Sequence, residues 1–333
     1  MGSRWKLTPI AETGDRFREF APYVPSIDSR GRVAFQASLT AGGSGIFLVS
    51  EGSVTDLALT SDLVADFKSH PDISDDGSWC AYAVLRSGVE ALVLGRAGHA
   101  AAIVDTGSSF GRIGPLGPTM NNDHMVAFRA EASAGPGIFK TDGRSIVALA
   151  DSLRFAAFHG LPVINRSGRV VFRADLKSGG QVIVADDQGV QATVADTSDV
   201  FAELGRFPCL NDAGTVAFSA TLRDGRSGVF LASGGEVSHV VDTASEFESV
   251  RGALLDDEGG ILFFATPREG LLGIYDGDAR RILSIGEALF GSAVADFALN
   301  PVSINSAGQF AVRLKLADQR ELIVRGDRDE GRF

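Results

Sequence analysis

Tyr23 and His70 stand two residues and one residue before the proline in consecutive copies of a phrase that recurs along the chain. A phenol and an imidazole brought together make a proton-transfer pair, and an imidazole with an unperturbed pKa near 6.5 exchanges protons at neutral pH. Arg206 and Arg251 hold the place of Tyr23 in two later, again consecutive, copies. Two neighbouring guanidinium groups suit a carboxylate or phosphate through bidentate contact. Lys68 and His159 lie one residue further out, and Asn300 fills the equivalent place in the last copy. Tyr23, His70 and His159 are thus candidate catalytic groups, with Lys68, Arg206, Arg251 and Asn300 as candidate substrate-binding groups. The chemistry they suit is elimination, isomerisation or cyclisation of a small anionic or carbonyl compound, with no cofactor and no metal. Metal-assisted hydrolysis ranks lower, because the acidic residues nearest this region are only Asp66, Glu203 and Glu248.

The elements that must position these residues come from the repeat. The phrase reads Pro-x-Ile-Asn/Asp-x-x-Gly-x-Val-Ala-Phe-x-Ala, followed by a Gly-Ile-Phe phrase about 14 residues after the first glycine. Its turn positions are Gly31, Gly77, His124, Gly168, Gly214, Gly259 and Gly308, spaced 44 to 49 residues apart. That period is the one expected of propeller blades. In the first copy Val33, Phe35 and Ala37 alternate with Ala34 and Gln36, the period-two pattern of a strand. The Asx-x-x-Gly unit predicts a tight turn in which Asx caps its own backbone and glycine takes a positive φ. His124 breaks that rule, and a relaxed surface turn is expected there. The last copy stops one strand short after Glu321–Val324, and Lys6–Gly14 has the pattern of the missing outer strand. The expected architecture is therefore an all-β, seven-bladed propeller of four-stranded antiparallel blades. It forms a single domain over 1–333, with the N-terminal strand completing the last blade so that no sheet edge stays open.

Composition agrees with this and narrows the partners. The chain has 333 residues with 40 Gly and 11 Pro, as many short strands joined by turns require. A net charge of −11 disfavours a nucleic acid backbone as partner. Two cysteines make no disulfide scaffold, and Cys80 and Cys209 read as small hydrophobes within strands. No run is long and apolar enough to span a membrane. The first residues lack an apolar signal region, which reads as cytoplasmic; a leader removed ahead of Gly2–Ser3 makes the location secreted or periplasmic instead. Asp327-Arg328-Asp329-Glu330 reads as a frayed tail. Asp72, Asp75 and Asp76 read as a turn, because no calcium-loop spacing follows them.

Phrases such as Asn165-Arg166-Ser167-Gly168-Arg169-Val170-Val171-Phe172 resemble the bacterial tandem-repeat proteins named for their NxxGxxAF motif, over essentially the whole chain. The resemblance implies a β-propeller and carries over no catalytic residue, since the motif residues are structural. The residues before the proline differ from blade to blade, unlike the motif, which suits one ligand held in one orientation. The expected partner is a small molecule in the central funnel of a monomer. The alternative is a non-catalytic propeller that binds a protein, peptide or glycan through its loop face.

Overall fold

The computed structural model describes residues 5–61, 63–96, 98–108, 110–244 and 246–329. Seven antiparallel sheets follow one another around a ring, each a four-stranded blade. Blade 4 shows the plan, running from the axis outward as Phe155–Ile164, Val170–Leu176, Gln181–Asp187 and Val190–Asp196. The phrase Val-Ala-Phe-x-Ala forms the second strand, and the Gly-Ile-Phe phrase forms the third. Trp5–Glu12 pairs antiparallel with Glu321–Arg328, so the first strand is the outermost strand of blade 7. No helix among the described residues is long and apolar enough to cross a membrane.

Phenylalanine recurs because each blade stacks its rings. Phe17, Phe35 and Phe47 meet in blade 1, with centroids 4.9 to 5.9 Å apart. Phe110, Phe128 and Phe139 repeat the trio in blade 3, Phe201, Phe218 and Phe230 in blade 5, and Phe247, Phe263 and Tyr275 in blade 6. Edge-to-face pairs of this kind contribute about 0.5–1.5 kcal/mol beyond the area they bury.

The motif Asn does more than cap its own turn. Asn165 Oδ1 accepts from Arg169 N, while its Nδ2 donates to Asn211 O of the next blade at 3.0 Å. Asn121, Asn211 and Asn305 repeat the inter-blade bond, the last reaching Asp28 O and so joining blade 7 to blade 1. In blades 1 and 6 the position is Asp, which has no amide to donate. There an arginine takes over: Arg32 grips Asp28 at 2.6 Å and donates to Asp75 O of blade 2, and Arg328 pairs with Asp256 at 2.6 Å.

Two local expectations need correction. Asp327 and Arg328 are not a frayed tail but the end of a paired strand, in which Arg328 neutralises buried Asp256 and sits over the Trp5 ring. Glu330 lies outside the described residues. The turn at His124 is not relaxed either; it keeps a left-handed φ of 60°, and Nε2 lies 3.0 Å from Asp76 Oδ2 in the preceding blade. A hydrogen-bond contact across the blade seam opposes the strain of a side chain at that position.

Candidate functional site

The innermost strand of each blade is broken in its middle. In blade 2 it runs Val64–Phe67 and resumes at Asp72–Ile73; in blade 5 it runs Phe201–Leu204 and resumes at Cys209–Leu210. Blades 4 and 6 shift register between His159 and Val163 and between Arg251 and Leu254. Proline causes much of this: Pro25, Pro71, Pro118, Pro162 and Pro208 end the interruption, and proline has no N–H for the ladder. The residues just ahead of the prolines therefore bulge toward the axis from mid-strand rather than standing on mouth loops. They surround a cavity of about 950 Å³.

Six of the seven residues singled out in the sequence line that cavity: Tyr23, Lys68, His70, Arg206, Arg251 and Asn300. His159 does not. Its Nε2 lies 2.8 Å from Asp175 Oδ2, and the other oxygen of that carboxylate holds Arg173 at 2.8 Å. Blade 4 instead supplies Gly160, at φ 65°, where a Cβ would collide with the carbonyl oxygen of Arg206. The glycine lets the Arg206 bulge of blade 5 approach.

The lining groups differ in their freedom to act. His70 is only 2% exposed, and its Nε2 lies 3.1 Å from Pro118 O, so Nε2 carries the hydrogen and donates it. The Nδ1–Cε1–Nε2 side of the ring abuts Gly117, where a Cβ would collide with it. Burial pushes its pKa down to about 4, which leaves the ring neutral at physiological pH. Burial raises the Tyr23 phenol, with Lys68 opposing the shift and Asp66 adding to it. Lys68 is held in its charged form by a 2.6 Å bond to Asp66 Oδ2, so it arrives at the cavity already paired. Asn300 caps a short 3₁₀ turn over Pro301–Ser303, and Oδ1 accepts from Val302 N at 2.9 Å.

Several lining groups were not singled out from the sequence. Arg112 lies on the first half of the innermost strand of blade 3 and joins Arg206 and Arg251 at the cavity. None of these three guanidinium groups has an ion-pair partner among the described residues. Glu90 accepts from Ile113 N, which commits one carboxylate oxygen to the neighbouring blade. Phe207, Phe264 and Phe297 add an apolar wall. Phe264 had a readable signal, because it occupies the variable position of the Val-Ala-Phe-x-Ala phrase. On the opposite face of the ring a smaller cavity of about 170 Å³ lies within the circle of motif Asn and Asp residues.

No family model matches the chain, and no curated protein matches it. Its fold is similar to that of an oligogalacturonate lyase solved in complex with manganese, with a TM-score of 0.62 and 10% identity over 97% of this chain and 93% of that one. A puromycin-hydrolysing peptidase of Mycobacterium tuberculosis aligns with a TM-score of 0.57 and 14% identity, covering 95% of this chain and 52% of the peptidase. Prolyl oligopeptidase B from Galerina marginata gives 0.57 and 9%, covering 90% of this chain and 47% of that one. The chain thus spans about half the length of these two peptidases. At such identities the likeness is one of fold, and it is compatible with catalysis or with binding.

Proposed function

We propose that the protein binds a small organic anion in the axial cavity, with Arg206 and Arg251 as the principal clamp and Arg112 contributing from blade 3. The observation that carries this reading is three guanidinium groups at one cavity, none with an ion-pair partner among the described residues although Glu90 and Asp296 also line it, in a chain of net charge −11. Unpaired cations gathered at a concave, partly apolar site are a standing attraction for a carboxylate or phosphate.

Catalysis is the second reading, a cofactor-independent lyase, isomerase or cyclase acting on the bound anion or carbonyl compound. It rests on Tyr23, whose raised phenol stays protonated at neutral pH beside a lysine and is therefore available as an acid. His70 supports it less, because its hydrogen is already given to Pro118 and its low pKa leaves no second proton to donate. Binding of a protein, peptide or glycan through the loop face has no corresponding feature in its favour among the described residues.

A thermal-shift screen of soluble carboxylates and phosphates tests the proposal. A ligand at about 100 times its Kd stabilises the native state by about 2.7 kcal/mol. The wild type is expected to respond to at least one such anion, and Arg206→Ala/Arg251→Ala to lose the response. An equal shift in the double variant removes the clamp, and with it this function.

A further inference from the structure

The cavity is lopsided. Among the described phenylalanines only Phe207, Phe264, Phe290 and Phe297 are not buried, and three of these four line the cavity. All three come from blades 5, 6 and 7, and two of those blades also carry Arg206 and Arg251. Half-buried phenyl rings at a cavity, in a protein that otherwise buries its phenylalanine, have a reason to be where they are.

The register ties the rings to the charges. Arg251 and Phe264 are cross-strand partners in blade 6, so both side chains leave the sheet on the same face. Phe264 in turn stacks on Phe297 of blade 7, with centroids 6.0 Å apart and planes inclined by 26°. Gly252 makes this seat possible, since a Cβ there would collide with the Phe264 ring. Phe207 directly follows Arg206 and lies against Gly160. Arg251 thus shares a sheet face with Phe264, Phe264 stacks on Phe297, and Arg206 with Phe207 lines the same cavity. Asp296, the chain neighbour of Phe297, also lines the cavity, and its carboxylate disfavours a second anionic group along the same wall.

We propose that the anion is a monocarboxylate carrying a flat aromatic body, with its carboxylate at Arg206 and Arg251 and its ring against Phe264 and Phe297. This rests on the anion-binding reading of the same cavity. A planar ring stacks on such a wall in offset or edge-on contact and displaces water from apolar surface, which a small hydrophilic dianion cannot do.

Isothermal titration with 3-phenylpropanoate, propanoate and succinate separates the possibilities. The phenyl compound is expected to bind at least about tenfold more tightly than the other two, with a negative heat-capacity change. Phe264→Ala/Phe297→Ala should erase that preference, so that 3-phenylpropanoate binds no more tightly than propanoate to the same variant. Phe264→Leu keeps an apolar filling and guards against a folding defect; it should lose part of the preference while still unfolding in one cooperative transition. Equal binding of propanoate and 3-phenylpropanoate, tighter binding of succinate, or a preference that survives the double Phe variant overturns this inference alone. Binding of none of the three also overturns this inference, and the anion reading falls with it when the screen of carboxylates and phosphates gives no shift either.

Discussion

Replacing the motif Asn of blade 3 by Asp changes one atom and tests how the blades are held together. Asn121 is 7% exposed; its Oδ1 accepts from Asp123 N and Met125 N, and its Nδ2 donates to Asn165 O and Arg166 O of blade 4 at 3.2 and 3.3 Å. Asn121→Asp keeps the acceptor and turns the donor into an oxygen facing two carbonyls. The lost bonds and the buried, unpaired carboxylate together cost about 3 kcal/mol. With an unfolding entropy of about 2.1 cal/mol/K per residue, a chain of this length carries about 0.7 kcal/mol/K, so the midpoint falls by about 4 °C at pH 7. The new carboxyl has a folded pKa raised by burial, so the penalty is small near pH 4 and grows as pH rises through the unfolded value toward the folded one. Asn165→Asp is the internal contrast. Arg169 follows it at the spacing by which Arg32 follows Asp28, and Arg169 Nε is buried without a partner. That variant should lose less than half as much, and Met125→Arg should recover part of the loss in Asn121→Asp. Differential scanning calorimetry at pH 4 and 7 reads all four proteins. Equal losses in the two Asp variants, or a loss in Asn121→Asp that ignores pH, would refute the reasoning.

Two further outcomes are expected. Because burial holds His70 at about 4 against an unfolded value near 6.5, the unfolded chain gains a proton that the folded chain refuses as pH falls through that window. The cost reaches about 3 kcal/mol near pH 4, whereas Asp72, raised by burial to about 7, contributes the opposite slope; urea unfolding of the wild type against His70→Gln isolates the histidine, and parallel pH profiles would count against its burial. Deleting residues through Glu12 removes the outer strand of blade 7 together with the Trp5–Phe310 contact at 5.3 Å, and the bared edge should drive association visible by size-exclusion chromatography; a monomeric, equally stable deletion variant would show that closure is dispensable.

The fold was legible because each blade must solve the same problem and most solve it with the same residues: turn glycine, capping Asx, stacked Phe. The cavity was partly legible for the complementary reason, since Tyr23, His70, Arg206 and Arg251 depart from the repeat at a position the repeat brings to the axis. Arg112 escaped because the interruption varies in length from blade to blade, so counting back from proline does not reach the same place in each. Asp175, which occupies His159, and the capping role of Asn300 escaped because each depends on a side-chain contact outside the repeated phrase. The inter-blade role of the motif Asn was hidden by its local one, since capping alone would be served equally by Asp.

The pairing of Trp5–Glu12 with Glu321–Arg328 also sets a clock. Thr13 and Glu321, bonded just beyond that ladder, lie 308 residues apart in sequence. A ribosome working from one end makes the first of these partners long before the second, so the earliest strand must stay unpaired while six blades emerge behind it. Contacts this distant along the chain form slowly, and the circle of blades that encloses the cavity cannot close before its seventh blade has been made.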